Sequence, residues 1–381
     1  MQLTPTRELR EGQIIAKDAR DERGRILLAQ GQRLTSNLIQ RLFRFRVENV
    51  YLRNGAETDA PELVKAEVKQ KCQEILSGPF QRMNEIAAAK RLTLDAAAIA
   101  RASGSLVDAL MGSRAPLIAL IDVNATSDAL MQHSVSSAIL AVTLALDLGV
   151  PTDMLYHLGT AMLFHDIGMI YLNEALLSKT PPLTPEDIHA LRDHAKLGAT
   201  HLMRSQAVSG IAASLVLRHH EALDGSGYPE GVGGEKLTLL ARIACVAEAY
   251  DSMTSPRPYA PVIMPDVAIT YIVSNANRLF ARDVVIALCR RVALYPTGTA
   301  VQLNTGERGI VAGTPPNLPM RPIIQIRLDH RGRILAQPIL LDLSRDSARC
   351  VVRSAPHLNL LDSDQKRVIV PQPILPVHAL G

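Results

Sequence analysis

The sequence predicts a multidomain protein with a central all-α helical bundle, a small N-terminal α/β module and a small C-terminal β module. Three observations predict this arrangement. Residues 131–290 show helical patterns separated by loops that contain Gly, Pro and His, and eight of the eleven histidines lie there. Strand-like segments precede this block. Short alternating strands joined by Gly-containing turns follow it.

Composition places the chain among globular proteins. With 381 residues, of which 47% are hydrophobic, it is long enough for two or three domains and too apolar to be disordered. The net charge of +4 is a mild excess. Aromatic residues make up only 3% and tryptophan is absent, which argues against stacked aromatic platforms for nucleic acid. We therefore expect no nucleic-acid partner.

The cysteines and the apolar segments indicate a cytoplasmic protein. No CxxC pair occurs, so neither a zinc knuckle nor a disulfide framework is expected and a reducing compartment fits best. The N-terminus lacks the apolar core of a signal peptide. The longest apolar region, "SAILAVTLALDLGV", is interrupted by Thr143 and Asp147 and is short for a bilayer. We expect no membrane span.

The N-terminal module is expected over residues 1–60. "QIIAKDA" and "RILLAQ" have the composition of strands, and "ENVYL" is a third. Between them, "TSNLIQRLFRFRV" predicts a helix capped by Thr35 or Ser36. Residues 61–124 are alanine-rich and are expected to form a helical connector with a break at "SGPF".

The C-terminal β module is expected over residues 294–355. Its alternating segments are separated by Asn-Thr-Gly and Asp-His-Arg-Gly, which are favourable turn sequences. A proline-containing tail, 356–381, follows it, and no internal repeat is recognised.

The central block, 125–290, carries a set of metal-ligand residue types on successive predicted helices. One buried histidine is more often an ordinary core residue, and an isolated His-Asp pair is common. Here the whole set occurs in order, with only nitrogen and carboxylate donors: His133, His165, Asp166, His194, His219, His220 and Glu248. Such donors suit iron(II), manganese or zinc, and a bridging carboxylate can hold two ions. Two ions roughly 3.5–4 Å apart are a standard device for phosphodiester hydrolysis.

A second informative stretch is "HHEALDGSGYPEG". Its glycines predict a tight loop in which backbone amides approach a ligand closely. Tyr228 supplies an aromatic face and a hydroxyl, and Pro229 stiffens the exit. The same residues would also make a good surface turn. Their position directly after the histidine pair favours a wall of the metal pocket.

Residues 125–290 resemble the HD-GYP family of metal-dependent phosphohydrolases, which cleave cyclic di-GMP. The resemblance is carried by "HSVSSAIL", "HDIG", "HHEALDGSGYP" and "ARIACVAEAYDSMTSPRPY". It implies an all-α bundle with a di- or trinuclear iron or other metal centre, and hydrolysis to linear pGpG and sometimes to GMP. The front module looks like the N-terminal accessory domain of some members.

The resemblance also implies roles for individual residues. The seven residues of the ordered set match the metal ligands, with Asp166 as the bridge, and His165 and Asp166 as the catalytic pair. Glu248 stands where the family usually has aspartate. The expected substrate-binding residues are Asp224, Gly225, Gly227, Tyr228, Pro229, Arg257 and Tyr259. A guanidinium fits phosphate oxygens in a forked geometry, which suits Arg257 to this role.

Two positions depart from the family pattern. Ala129 stands where trinuclear members place a glutamate, so we expect two divalent ions, iron or manganese, with zinc as an alternative. Met169 stands where "HDIGK" would have a lysine that meets substrate phosphate. Its loss affects the expected rate and leaves the metal ligands intact.

The leading hypothesis is therefore a cyclic di-GMP phosphodiesterase that lowers the level of this second messenger. The alternative is a receptor that binds cyclic di-GMP, turns it over slowly or not at all, and signals through its flanking modules. A third interpretation is hydrolysis of another nucleotide. Beyond cyclic di-GMP, the expected partners are signalling proteins bound through the signature loop or flanking modules, and a second copy in a homodimer.

Overall fold

A computed structural model describes the protein over most of residues 2–355. The described residues are 2–6, 9–15, 19–20, 26–29, 31–45, 47, 49–52, 64–81, 86, 94–113, 129–179, 182–255, 263–315, 318 and 320–355. Residues 53–63 and the tail 356–381 lie outside them.

The described residues of the N-terminal module form two small antiparallel sheets and one helix. Strand β1 (Gln2–Pro5) pairs with β4 (Asn49–Leu52), and β2 (Ala19–Arg20) pairs with β3 (Ile26–Leu28). Helix α1 (Ser36–Arg44) lies between β3 and β4. A small apolar core holds these elements together; it includes Ile15, Leu28, Leu34, Leu42 and Leu52.

The structure confirms one sequence prediction for this module and adds one strand that was not predicted. Thr35 is the cap of α1, because its side chain accepts a hydrogen bond from the backbone N–H of Leu38. Of the expected strand "QIIAKDA", Ile14 and Ile15 form isolated bridges and Ala19 belongs to β2, whereas residues 16–18 lie outside the described residues. Strand β1 was not predicted.

Ten helices follow in the described part of the chain. Their bounds are α2 (Ala66–Gln81), α3 (Ala96–Met111), α4 (Ala129–Asp147), α5 (Thr152–Leu163), α6 (Glu174–Leu177), α7 (Pro185–Ser205), α8 (Gly210–Arg218), α9 (Leu239–Thr254), α10 (Pro265–Ser274) and α11 (Arg282–Arg291). Short 3₁₀ segments lie at Ile167–Tyr171, Gly234–Lys236 and Leu343–Arg345.

The break expected at "SGPF" is wrong, because α2 continues through these residues to Gln81. Pro79 lies inside the last turn of this helix. A proline costs a helix one hydrogen bond and a clash with the carbonyl four residues earlier. Leu76, one turn before Pro79, is buried in the bundle core and holds this part of the helix in place.

Helix α4 lies in the middle of the bundle and packs against α5 and α9. Its apolar residues surround the helix, which is typical of an element buried on all sides. By length and composition the window Leu130–Asp147 is also long enough to cross a membrane, so the expectation of a short apolar segment was incorrect. Of that window 72% is buried inside the protein, as in the core helix of a bundle. The predicted connector helices α2 and α3 contribute to the same core, for example through Leu76 and Leu106.

The C-terminal β module is a five-stranded antiparallel sheet in the order β8-β7-β6-β5-β9. The strands are β5 (Ala300–Leu303), β6 (Arg308–Gly313), β7 (Ile323–Leu328), β8 (Ile334–Asp342) and β9 (Val351–Ala355). The predicted Asn-Thr-Gly turn joins β5 to β6, and the Asp-His-Arg-Gly turn joins β7 to β8. The Ser354 hydroxyl donates a hydrogen bond to Asp266 Oδ2 of α10 over 2.6 Å, which ties the sheet to the bundle.

Candidate metal centre and signature loop

Five elements of the bundle bring the seven predicted metal ligands together. Helix α4 contributes His133, the turn after α5 contributes His165 and Asp166, and α7 contributes His194. The remaining three, at the end of α8 and on α9, are His219, His220 and Glu248. Each of the seven is at most 5% exposed. So dense a set of buried nitrogen and carboxylate donors is costly unless their polar atoms are compensated.

The donors form two groups, and within each the candidate ligand atoms lie within 4.8 Å of one another. The first group consists of His133, His165 and Glu248. Glu248 Oε2 lies 2.9 Å from His133 Nε2 and 3.0 Å from His165 Nε2. Glu248 therefore reaches the site in spite of its extra methylene group, as expected from its carboxylate.

The second group consists of Asp166, His194, His219 and His220. His194 Nε2 lies 3.2 Å from His219 Nε2 and 3.1 Å from His220 Nε2. Three imidazole nitrogens from two helices thus converge beside one carboxylate.

Asp166 lies between the two groups and faces both of them. Its Oδ1 is 3.3 Å from His194 Nε2 in the second group. Its Oδ2 is 3.5 Å from His165 Nε2 and 3.7 Å from His133 Nε2 in the first group. One oxygen is directed to each group, so a single carboxylate faces both sets of donors.

The hydrogen bonds on the other side of each ring fix the tautomer of three histidines. Nδ1 lies 2.5–2.6 Å from a backbone carbonyl oxygen three residues earlier in His165, His194 and His219. A carbonyl only accepts, so Nδ1 carries the proton and Nε2 of the neutral ring presents a lone pair. The close Nε2 pair of His194 and His219 therefore cannot be a hydrogen bond.

A cation between such nitrogens satisfies both lone pairs, and an ion–nitrogen distance of about 2.0–2.1 Å is typical for zinc. Burial lowers the pKa of His194 and His219, which keeps both imidazoles neutral and available as ligands. Burial by itself would raise the pKa of Glu248, but His133 and His165 hold it well below its ordinary value. Neutral imidazoles and an ionised carboxylate are the forms in which these residues bind metals.

Asp251 is a site residue that the sequence analysis missed. It follows Glu248 by three residues on α9, and its Oδ2 lies 2.5 Å from His133 Nδ1. The Ser255 hydroxyl donates to the same oxygen over 3.0 Å. A carboxylate behind a histidine fixes the ring orientation and makes the histidine a better metal ligand. The i, i+3 spacing in "AEAYD" was the available signal.

Gly168 explains how Asp166 comes so close to α7. A Cβ atom at this position would lie 1.9 Å from the carbonyl oxygen of His194 and 2.6 Å from the amide nitrogen of Gly198. Only glycine allows this contact between the two backbones. Helix α5 ends at Leu163, and Gly168 lies in the 3₁₀ segment that follows Asp166.

The signature loop, residues 221–232, is folded tightly against the metal ligands. Gly225 has φ of +80°, and a Cβ on Gly227 would lie 2.4 Å from the backbone of residues 221 and 222. Asp224 Oδ1 accepts hydrogen bonds from the amide and hydroxyl of Ser226. These contacts account for the predicted Asp-Gly-Ser-Gly loop, in which the Tyr228–Pro229 peptide is cis.

Glu221 holds the two ends of this loop together and was also missed. Its two carboxylate oxygens accept hydrogen bonds from the amides of Glu230, over 2.8 Å, and Val232, over 3.0 Å. Glu221 is 2% exposed, so these amides replace water around the carboxylate.

Tyr228 connects the loop to the metal ligands. Its ring stacks on the His220 ring with centroids 4.7 Å apart and an interplanar angle of 23°. The Arg192 guanidinium carbon lies 5.2 Å from the Tyr228 ring centroid. The loop therefore forms a wall beside the second ligand group.

The structure describes the two positions that depart from the family pattern, but not the last two expected substrate residues. Met169 lies in the 3₁₀ segment after Asp166 and is 3% exposed. Ala129 begins α4 and has no ligand atom. Arg257 and Tyr259 lie outside the described residues, so their predicted contact with phosphate stays a prediction.

Comparison with known families identifies the central and the C-terminal parts of this architecture. Residues 119–284 match the HD domain family. Residues 300–359, which contain the C-terminal sheet, match a KOW domain associated with HD domains. An HD domain implies divalent metal binding, and the buried donor set of this chain fits such ions.

Two similar proteins indicate which type of HD domain this is. A cyclic di-GMP phosphodiesterase of Pseudomonas aeruginosa is 31% identical over 247 residues, which cover 64% of this chain and 59% of that protein. The cyclic di-GMP phosphodiesterase response regulator RpfG of Xanthomonas campestris pv. campestris is 36% identical over 38% of each chain. Residues 119–284 form an HD domain of the HD-GYP type.

Another relative is named for a different substrate. A 3'3'-cGAMP-specific phosphodiesterase of Vibrio cholerae is 29% identical over 174 residues, which cover 46% of this chain and 38% of that protein. The chain spans 59% and 38% of the lengths of the Pseudomonas and Xanthomonas relatives.

Proposed function

We propose that the HD-GYP domain hydrolyses cyclic di-GMP to linear pGpG, with GMP as a further product, and uses two divalent ions. The observation that carries this proposal is the position of Asp166 between two groups of buried donors. Two ions held by one carboxylate are a recurrent arrangement in phosphodiester hydrolysis. The Pseudomonas and Xanthomonas relatives, named as cyclic di-GMP phosphodiesterases, support the substrate.

The proposed number of ions follows from the donors. Seven side chains divide into one group of three and one group of four, each sufficient for one ion with positions left for water and substrate. Ala129 offers no ligand for a third ion. Iron or manganese suits this nitrogen and carboxylate set, and zinc is the alternative.

Bound ions would polarise the phosphoryl oxygen and make a water acidic enough to attack phosphorus. The residues of the chain prepare the site for this step. Asp166 is directed to both ligand groups at once, and the Asp251 carboxylate keeps His133 in the tautomer that directs Nε2 inward. Tyr228, held by the Glu221-supported loop, closes one side of the pocket and orients the nucleotide beside His220. We assign His165 and Asp166 to the reacting phosphate because they lie at the junction of the two groups.

A second candidate function is a cyclic di-GMP receptor with slow turnover or none. Met169 favours it, because this buried apolar side chain replaces the lysine expected near the phosphate. In this case the ligand set would hold the dinucleotide, and the flanking modules would transmit the signal to protein partners. A third candidate, hydrolysis of another nucleotide, is supported by the Vibrio relative named for 3'3'-cGAMP.

One experiment separates the three candidates. The protein is loaded anaerobically with iron(II) or manganese, incubated with cyclic di-GMP or with 3'3'-cGAMP, and the products are separated by chromatography. Linear pGpG supports the proposed function, whereas unchanged cyclic di-GMP with micromolar binding supports the receptor. Faster cleavage of 3'3'-cGAMP than of cyclic di-GMP supports the third candidate. The Asp166→Ala variant is the control for hydrolysis by contaminating enzymes.

A further inference from the structure

Strand β8, at one edge of the C-terminal sheet, is apolar and yet exposed. Residues 336–340 are all exposed; Ile339 is 57% and Leu340 68% exposed. No charged residue occurs from position 334 to position 341. The core of the sheet ends one strand earlier, since Ile326 on β7, the register partner of Ile339, is only 3% exposed. The apolar side chains of β8 are therefore not covered by the core of their own sheet.

Both faces of this strand are open. Successive side chains of a strand point to opposite faces of the sheet, so Ile339 and Leu340 lie on opposite sides. A partner packed on one face would cover only one of them. Ile334, which is 85% exposed, extends the same edge towards the turn between β7 and β8. To cover all three side chains a partner has to enclose the edge of the sheet from both sides, as the apolar phase of a lipid layer does.

Pro338 opposes the addition of another strand to this edge. Among the described strands β8 pairs only with β7, so its other side is the edge of the sheet. Proline has no backbone N–H, and on an edge strand it hinders pairing with a strand from another chain. Contacts of β8 with a partner therefore depend on its apolar side chains.

Exposed arginines lie at both ends of β8. Arg331 is in the turn before the strand, and Arg345 is in the 3₁₀ segment after it. Arg345 lies 3.5 Å from Asp342, but 87% of its side chain is exposed, and such surface pairs contribute little. Residues 294–355 contain eight arginines, no lysine and four acidic residues, so the net charge of this module equals the +4 of the whole chain. Positive charge beside an apolar edge complements an anionic lipid surface.

We propose that β8 docks the C-terminal sheet on the surface of an anionic lipid bilayer. The side chains of Ile334, Ile339 and Leu340 insert among the acyl chains. Arg331 and Arg345 contact lipid phosphates. Because the strand has an arginine at each end, it lies parallel to the surface and does not cross the bilayer. This inference is independent of the activity proposed for the HD-GYP domain, since it concerns only where the chain binds.

The sequence contains no tryptophan, which allows a direct test of insertion. Single tryptophans are introduced by Ile339→Trp and Leu340→Trp, with Met203→Trp as the control at a 63% exposed position of α7. Each variant is mixed with vesicles of phosphatidylcholine alone, or of phosphatidylcholine with an equal amount of phosphatidylglycerol. With the anionic vesicles we expect a blue shift of the emission, and quenching by brominated acyl chains, at both β8 positions. Met203→Trp should show neither.

Vesicle sedimentation measures the affinity of the protein for the same lipids. Joint replacement by Ile339→Gln and Leu340→Gln should weaken binding to anionic vesicles by ~10–100-fold, because two apolar side chains no longer insert. Joint replacement by Arg331→Gln and Arg345→Gln should weaken it by ~10–30-fold, and added salt should also weaken it. Met203→Gln should bind like the wild type. Urea unfolding checks that these exposed substitutions leave the fold intact.

Three results would overturn the docking of β8 on a membrane. The first is that the wild type does not bind anionic vesicles, or binds them no better than the variant with Ile339→Gln and Leu340→Gln. The second is equal binding to both kinds of vesicle, which would remove the arginines from the interface. The third is a blue shift at only one of the two β8 positions that grows with protein concentration without vesicles. This last result would show that a second copy of the chain covers one face of the strand.

Discussion

His133 Nδ1 lies 2.5 Å from Asp251 Oδ2, and both side chains are buried. The two residues are 118 positions apart in the chain, on α4 and α9. This contact makes the orientation of a predicted metal ligand depend on a carboxylate that itself does not belong to either donor group.

Replacement of Asp251 by alanine should therefore weaken metal binding without removing a ligand. Loss of such a supporting carboxylate commonly costs about 10–100-fold in metal affinity. Asp251→Asn is the graded control, since its amide oxygen still accepts from His133 Nδ1 and should restore part of the affinity. Titration with manganese, followed by calorimetry, measures the effect. Equal affinities in wild type and alanine variant would show that His133 does not need this support.

Replacement of Gly168 by alanine should destabilise the bundle and reduce metal content together. The new Cβ would lie 1.9 Å from a backbone oxygen of α7, so the segment after Asp166 must move away. Overpacking of this kind costs about 1–3 kcal/mol, and more where only backbone can yield. Urea unfolding checks the stability and elemental analysis checks the metal.

Gly104→Ala is the matched control for this prediction. Gly104 lies within α3, and its Cβ would lie 4.0 Å from the Tyr156 ring of α5, which is an ordinary contact. Alanine in a helix is about 0.5–1 kcal/mol more favourable than glycine, so this variant should be neutral or slightly more stable. A Gly168→Ala variant as stable as Gly104→Ala would contradict the close approach of the two backbones.

Replacement of Glu221 by glutamine should loosen the signature loop and leave the metal in place. The glutamine oxygen can accept from one of the two amides, and its NH₂ group cannot accept from the other. An unsatisfied buried amide costs about 1–3 kcal/mol. We expect faster proteolytic cleavage within residues 224–232 and a higher KM for cyclic di-GMP. Unchanged proteolysis would show that the loop is held by other contacts.

Replacement of Met169 by lysine tests the one departure that bears on the rate. If the site is catalytic, a cation near the reacting phosphate should raise turnover, and preorganised charge of this kind is commonly worth ~10²–10³ in rate. Met169→Leu is the control, because it keeps the site apolar. The buried position of Met169 opposes the gain, so stability is measured alongside activity.

The outcomes for Met169→Lys divide the candidate functions. Higher turnover at equal metal content identifies a slow phosphodiesterase that lacks one phosphate contact. Unchanged turnover in an already active enzyme assigns that contact to another cation. Absence of turnover in both proteins, with binding retained, contradicts the phosphodiesterase and supports the receptor.

Much of the metal site was predictable because its residues lie in short sequence motifs that follow one another in a recognisable order along the chain. Each predicted ligand falls next to a recognisable helix end or motif, and the structure brings all seven together. Asp251 and Glu221 were missed because their roles depend on contacts that the fold creates, Asp251 with a residue on another helix and Glu221 with the far end of the loop. The i, i+3 spacing of Glu248 and Asp251 places both carboxylates on one face of α9, but it does not show which residue Asp251 contacts.

The outer parts of the fold were predicted less completely for a related reason. Strand β1 has only four residues, too few for an alternating pattern, and pairs with β4 almost fifty residues later. Helix α2 passes through a Gly-Pro pair because Leu76, one turn earlier, is anchored in the bundle core. Tertiary packing here overrides the local preference of the sequence. The hairpins of the C-terminal sheet were predictable because their turns are local.

The bridging position of Asp166 is tested most directly by the number of ions per chain. Wild type and Asp166→Ala are loaded anaerobically with iron or manganese, dialysed together and analysed for metal, with the exposed Asp193→Ala on α7 as the control. We expect about two ions in the wild type and in the control, from the two donor groups. Asp166→Ala should remain folded and retain one ion or none. Equal metal content in Asp166→Ala and wild type would contradict the bridge.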